Sequence, residues 1–292
     1  MKKLLSALLV MMMLVACMAP ALADEGSEPD WTHYDELIAE IKSTTDVVAR
    51  EALMHEAEDM LMETGAILPI YYYNDLYMQD SAVTNIYSNL FGYKFFMYAD
   101  KGDDTTLRVN LASEPDKLDP ALNSTVDGAS LAVNSFGGLY TYDAEGQLVP
   151  DFATGYTVSE DGLVYTFTLR DGLKWSDGSD FFASDFVKSW NRAADPALGA
   201  DYAYLFDYIA KNAYGTLNVV ADDEARTLVV TLANPCAYFL ELCGFTTYYP
   251  VKVELADNEG AWATDPAKYI GTGPFRMPSF KVDDVATFEK NP

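Results

Sequence analysis

Apolar positions along this chain fall into three textures. The first is a continuous run from Leu4 to Ala16, preceded by Lys2 and Lys3 and followed by small residues. A basic start, a short apolar stretch and a small-residue end predict an export signal over residues 1–23, too short with its flanks to span a bilayer. The second texture has helical spacing. Leu37, Ile38 and Ile41, then Leu53, Met54, Ala57, Met60 and Leu61, predict helices over residues 34–41 and 47–62, with Gly65 placed to end the second. Residues 24–33, polar and turn-rich, read as the linker before them.

The third texture is short runs of alternating or continuous apolar residues, which predict strands. "GAILPIYYYNDLYM", residues 65–78, sets three tyrosines behind a proline. A strand there would place Tyr71 and Tyr73 on one face and Tyr72 on the other. Further strands are predicted over residues 106–112, 163–170, 227–232 and 285–290, the second with Tyr165, Phe167 and Leu169 alternating against Val164, Thr166 and Thr168. Helical spacing returns in "SDFVKSWNRAAD", with Ser184 as N-cap and Phe186, Val187, Trp190 and Ala194 along one face, and in "YAYLFDYI". "DAEG", "SEDG" and "WSDG" mark turns, and the charged turn at residues 100–104 is the best candidate boundary between segments. Strands and helices mixed in this order predict an α/β or α+β architecture.

Composition narrows what such a fold can do. Acidic residues number 45 against 19 basic ones, for a formal net charge of −26, and loss of a leader carrying two lysines makes the remainder still more acidic. Binding to nucleic acid by phosphate neutralisation is excluded on these grounds. The charge reads first as a solvated surface on an exported protein. Two cleavage sites compete. "LVAC" fits a lipoprotein box that would leave Cys17 as the lipid anchor, and "ALA" ending at Ala23 fits ordinary signal cleavage. No later segment carries 18 apolar residues without charge, so a soluble protein, tethered at most by lipid, is expected.

The chemistry-bearing residues are sparse. His33 and His55 are the only histidines, and His55 in "MHEAED" lacks the second histidine of a HExxH zinc site. Cys236 and Cys243 would lie roughly 10 Å apart on a continuous helix, too far for a disulfide, so two buried thiols are expected. "GTGPF" at residues 271–275 lacks the lysine of a phosphate loop and reads as a tight turn. The acidic clusters "DDE" at residues 222–224 and "DNE" at residues 257–259 match no calcium-loop spacing. No catalytic residue, metal site or cofactor is indicated.

From Leu107 onward, the phrases "LRVNLASEPDKLDPAL", "FGGLYTYDAEGQLVPDFATGYTVSEDGLVYTFTLRDGLKWSDGS" and "ASDFVKSWNRAADP", followed by "YFLEL", "GTGPF" and "EKNP", stand in order and in register. Together they resemble the family 5 extracytoplasmic solute-binding proteins that feed oligopeptide and dipeptide ABC importers. One departure is "SDFFASDF", where the family usually has a proline and a threonine before the helix. The resemblance implies a type II periplasmic-binding-protein fold, with residues 101–292 forming lobe I. It also implies that residues 34–100 resemble the family's C-terminal helix and last strand, placed here ahead of lobe I. A circularly permuted lobe I and a fragment of a longer protein with a complete lobe II both explain that order, the fragment slightly better.

The same resemblance implies a function and a site. The function is extracytoplasmic capture of peptides for ABC permease subunits, without catalysis, either in the periplasm or on the outer face of the cytoplasmic membrane. Nickel, haem and oligosaccharides are other ligands of the family, and an interaction or scaffold protein built on a lone lobe I is the alternative from another class. In peptide binders, the loop after "LDPALN" pairs through its main chain with an extended peptide, which points to Ser124, Thr125 and Val126. Tyr73 matches a pocket-lining tyrosine and Tyr71 shares its face, with the protein core as the other destination for both rings.

Overall fold

The computed structural model of this protein describes residues 31–292, so the export signal, Cys17 and most of the linker lie outside the described residues. The chain divides into two compact units, one reaching Ile41 and resuming over Val48–Ile70, the other made of Lys42–Val47 and Tyr71–Pro292.

The first unit is a helical pair, α1 (Trp31–Ser43) and α2 (Val47–Glu63). Helix α1 begins inside the stretch read as linker. Leu37, Ile41 and Ala57 form its buried contact, flanked by Tyr34, Ile38, Leu53 and Met60. Met54, expected on the apolar stripe, is exposed. Gly65 has φ +69°, and its N–H bonds the Met62 carbonyl at 3.1 Å, so the helix closes where glycine alone adopts the left-handed region without strain.

The tyrosine strand does not form. Residues 66–80 pair with no strand among the described residues, and Tyr71, Tyr72 and Tyr73 are 75%, 97% and 79% exposed. Alternation and β-propensity supply half of what a strand needs; the other half is a neighbouring edge to take its N–H and C=O groups, and none is present. Residues 106–112 fail for the same reason: the segment pairs with no strand among the described residues, and Val109 is exposed.

The second unit begins with a small hairpin, β1 (Tyr87–Ser88) and β2 (Lys94–Phe95). Residues 71–100 belong to this unit, although the sequence groups them with the helices. Helix α3 (Val126–Ser135) carries the hairpin: the Asn134 amide donates to the Lys94 carbonyl at 2.7 Å and accepts from Phe96 N–H at 2.8 Å, imitating a neighbouring strand. A second hairpin, β3 (Tyr140–Tyr142) and β4 (Leu148–Pro150), leads into β5 (Ala153–Val158) and β6 (Val164–Leu169).

The main sheet has four antiparallel strands in the order β5-β6-β8-β7, where β7 is Val219–Asp222 and β8 is Thr227–Thr231. Its inner face is what the alternation predicted. Phe167 and Leu169 of β6 and Leu228 and Val230 of β8 are buried.

Helix α4 (Ala183–Ala193) packs on this sheet through Phe186 and Trp190, both fully buried. The Trp190 indole donates to the Tyr248 carbonyl at 2.7 Å, which satisfies the one polar atom that the core encloses there. The helix starts two residues earlier than expected. Phe182 occupies the N-cap position, the Asp185 carboxylate accepts its N–H at 3.0 Å, and Ser184 bonds Asp223. "YAYLFDYI" forms a 3-10 helix, Ala203–Tyr208. Cys236 and Cys243 are both buried and form no disulfide with each other; helix α5 (Phe239–Cys243) starts after Cys236, so no continuous helix joins them.

A second core gathers Tyr93, Phe95, Leu118, Phe136, Trp262, Tyr269 and Met277. The closing hairpin, β9 (Phe275–Lys281) and β10 (Val285–Lys290), packs beside it. The glycines of "GTGPF" serve a close approach rather than a tight turn. A Cβ on Gly271 would stand 1.9 Å from the Ser135 carbonyl oxygen, and one on Gly273 2.6 Å from Phe136 N. This contact closes the C-terminal end of α3, since Ser135 O accepts from Thr272 and Gly273 at 3.1 and 2.9 Å.

Among the described residues, no helix is long and apolar enough to cross a membrane.

Candidate functional site

The second unit carries a cleft of about 490 Å³, and the loop leading into α3 forms one of its walls. That loop is built around two polar side chains. Asp119, fully buried, accepts from Arg192 at 2.6 Å, from the Trp262 indole at 2.9 Å and from Ala121 N–H at 3.0 Å. Its carbonyl takes Leu122 and Asn123 N–H at 3.0 and 2.9 Å, which starts the turn. Asn123 closes it: its side-chain oxygen accepts from Thr125 N–H and Oγ1 at 3.2 and 3.0 Å, while its amide donates to Thr125 O at 3.0 Å.

Thr125 is the N-cap of α3, with φ −114° and ψ 151°, and its hydroxyl accepts Gly128 N–H at 3.2 Å. Gly128 is required here because a Cβ would lie 2.0 Å from the Asn123 side-chain oxygen.

Ser124, Thr125 and Val126 all line the cleft. They do not offer the same groups. The Thr125 N–H is taken by Asn123 and its carbonyl by Asn123 and Ala129. The Ser124 N–H and C=O and the Val126 N–H have no hydrogen-bond partner among the described residues. A main chain laid along this wall therefore meets open donors and an acceptor at Ser124 and Val126, and only a spent residue between them.

The rest of the lining is mostly aromatic, with Leu205, Leu242 and Glu241 beside the rings, and it was missed in the sequence. The β1–β2 hairpin supplies Phe91 and Tyr93, held by the Asn89 side chain, which accepts both of their N–H groups at 3.1 and 3.0 Å. Tyr202 and Tyr204 flank the start of the 3-10 helix, Tyr238 precedes α5, and Phe245 follows it. The rings form a chain of edge contacts: Tyr202–Phe245 centroids lie 5.2 Å apart at 90°, and Phe91–Phe245 5.8 Å at 74°. Burial pushes the Tyr93 phenol well above its usual range, with Tyr202 adding to the effect, so it stays neutral at every physiological pH. Glu241 is the only charged residue among those lining the cleft. "FGYKFF" and "YAYLF" were visible as aromatic-rich stretches, but nothing in their spacing aims them at a common space.

Tyr71 and Tyr73 do not line this cleft; both rings stand in solvent on the unpaired segment. No group of three or more histidine, cysteine, aspartate or glutamate side chains able to hold a metal ion occurs among the described residues.

An open aromatic cleft on a mixed α/β lobe, with unspent main-chain groups on its wall, defines a lobe of the solute-binding type. The chain belongs to the bacterial extracellular solute-binding proteins, family 5: the family profile described as "Bacterial extracellular solute-binding proteins, family 5 Middle" matches residues 147–292, half of the chain.

The oligopeptide-binding protein OppA of Bacillus subtilis is 38% identical over 201 residues, covering 66% of this chain and 37% of that protein. The periplasmic oligopeptide-binding protein OppA of Salmonella typhimurium is 33% identical over 200 residues, covering 65% and 36%. Among solved structures, a periplasmic oligopeptide-binding protein of Borrelia burgdorferi superposes with TM-score 0.58 at 33% identity, covering 62% of this chain and 38% of that one. Haemophilus influenzae OppA in complex with RPPGFSPFR superposes with TM-score 0.56 at 30% identity, covering 62% and 37%. The chain thus spans a little over a third of the length of the relatives it matches.

Proposed function

We propose that this chain is part of the solute-binding component of an ABC importer, which captures oligopeptides outside the cytoplasmic membrane and presents them to the permease subunits. The carrying observation is the pairing of open main-chain groups at Ser124 and Val126 with an aromatic cleft, the two features an extended peptide needs from one wall of its site. Names of relatives support the reading: oligopeptide-binding and dipeptide-binding proteins recur among them, several described as periplasmic. The work is capture and release, so the chain itself makes and breaks no bonds and needs no cofactor. The resemblance adds Tyr71 and Tyr73, which stand outside the cleft lining, as ligand-contacting residues, and Cys17 serves as a lipid anchor on the membrane's outer face where the lipoprotein box rather than the site at Ala23 is cleaved.

A ligand held by this wall alone keeps much of its surface in water, whereas good sites bury roughly 70–90%. Weak binding by the 292-residue polypeptide is therefore expected. Backbone-amide NMR of that polypeptide, titrated with trialanine and with mixed tripeptides to several millimolar, tests the proposal. Shifts centred on Ser124, Val126 and Gly128 support it. Silence at these amides at 5–10 mM peptide, on the order of the weakest binding such a wall should show, refutes it.

A further inference from the structure

We infer that the cleft selects a cationic group, the ammonium of lysine or the guanidinium of arginine, with Glu241 as the residue that determines this preference. The inference rests on the peptide-binding reading above and deepens it by naming the class of side chain.

Beyond the loop that forms its main-chain wall, the cleft is lined by six aromatic rings, Leu205, Leu242 and one carboxylate. Aromatic faces alone would welcome any apolar side chain. They also carry a negative quadrupole, so a cation over a ring within about 6 Å is attracted as well. The carboxylate decides between the two. An apolar side chain entering here would strip water from Glu241 and return nothing, while a cation replaces that water with a charge-assisted contact.

Among the described residues, nothing competes for the carboxylate. Glu241 is exposed, and its carboxylate enters no ion pair or hydrogen bond among the described residues, only its main-chain carbonyl accepting Gly244 N–H at 3.1 Å. No lysine or arginine lines the cleft to neutralise it. The carboxylate also acts on its surroundings: the Tyr142 phenol is raised above its ordinary value by burial and then by Glu241. Tyr202 and Phe245, at right angles and 5.2 Å apart, offer one face and one edge, the arrangement in which a single cation can meet a ring face without displacing the other ring. Tyr204, more than half exposed, stands at 6.3 Å from Tyr202 and extends the wall outward. A net charge of −26 adds a long-range field that draws cations toward the protein.

The size of the preference follows from its parts. A partly exposed ion pair and one cation–π contact together correspond to about a five- to tenfold difference in affinity. The experiment compares Ala-Lys-Ala with Ala-Met-Ala, nearly equal in length and volume, on the 292-residue polypeptide by NMR titration at low salt. Butylammonium chloride serves as a third ligand, a cation without a peptide. Two variants accompany the native sequence: Glu241→Gln, and Glu224→Gln as a charge control in an exposed turn outside the cleft.

The expected result is five- to tenfold tighter binding of Ala-Lys-Ala, a ratio near one in Glu241→Gln, and an unchanged ratio in Glu224→Gln, with equal melting temperatures throughout. Equal affinity of the two peptides for the native sequence overturns the inference and leaves the peptide-binding reading standing. Silence from both peptides overturns both. A preference that survives in Glu241→Gln also overturns it, because the selecting charge then lies elsewhere. Butylammonium binding as tightly as Ala-Lys-Ala supports cation selection and assigns it to free amines rather than to peptides.

Discussion

Replacing Asp119 with alanine removes the centre of the network that shapes the cleft wall. Three donors converge on its carboxylate, from Arg192, from the Trp262 indole and from Ala121, and the side chain is wholly inside the protein. Asp119→Ala leaves the Arg192 guanidinium, itself only 9% exposed, with the Asp257 carbonyl at 2.6 Å as its remaining partner. Its Nε already lacks a partner. The indole N–H loses its acceptor too.

Breaking one side of a buried pair costs about 3–5 kcal/mol, because the other charge stays buried without compensation. Against a total stability of about 5–15 kcal/mol, that is a large fraction. For a unit of this size it lowers the melting temperature by roughly 6–20 °C. Urea unfolding followed by tryptophan fluorescence measures it, since Trp190 and Trp262 are both buried. The pair should also be coupled. Arg192→Met combined with Asp119→Asn removes both charges and leaves an oxygen for Trp262 and Ala121, so the double variant should be more stable than the sum of the single losses implies. A loss below about 1 kcal/mol in Asp119→Ala, or strict additivity in the cycle, would show that water or a rearranged loop supplies the missing interactions, and would refute the central role of Asp119 in shaping the wall.

Gly271→Ala should destabilise by about 2–3 kcal/mol, because its Cβ would meet a carbonyl that two N–H groups already hold in place; a neutral result in denaturant titration would mean that the closing segment can shift away from α3. At Asp177, burial acts to raise the carboxyl pKa, but the Lys252 ammonium and the Ser179 hydroxyl and N–H outweigh it, and the value falls to about 2. The folded value lies below the unfolded one of about 3.9, so the stabilisation is complete above pH 4 and fades as pH drops toward 2. The difference in melting temperature between the native sequence and Asp177→Asn should shrink over that interval, and a difference that stays constant would contradict the pairing. Tyr73→Ala should leave the melting temperature unchanged, as expected for a ring that is 79% exposed, while weakening peptide binding; unchanged affinity would remove the tyrosine from the site, and a stability loss above about 1 kcal/mol would place it in a core.

Local order was legible wherever one element could satisfy itself or pair with its neighbour in the chain. The two N-terminal helices, β6 with its buried Phe167 and Leu169, β8 with Leu228 and Val230, and the glycine turns at Gly146, Gly162 and Gly178 follow from periodicity and left-handed geometry alone. The mixed α/β class was legible too, while residues 124–126 were singled out only through resemblance. What failed shows the limit of the pattern. Residues 71–73 and 106–112 have the composition of strands but no partner edge, and a strand's hydrogen bonds belong to a pair of segments, never to one.

The cleft itself was decided by tertiary structure. Phe91 arrives on a hairpin that Asn89 and Asn134 fix, Tyr202 at the start of a 3-10 helix and Phe245 after a short α-helix, and the convergence of segments so far apart in the chain leaves no trace in local spacing. The same holds for the use of the loop. The resemblance implied main-chain pairing at three positions, but only the folded hydrogen bonds show that Asn123 and Ala129 have already taken the groups of Thr125 and left those of Ser124 and the Val126 N–H open. Sequence determines which segments can be helix, strand or turn because those preferences act over a few residues. Which side chains share a space, and which polar groups remain unspent, depends on contacts between distant segments, and these exist only once the chain has folded.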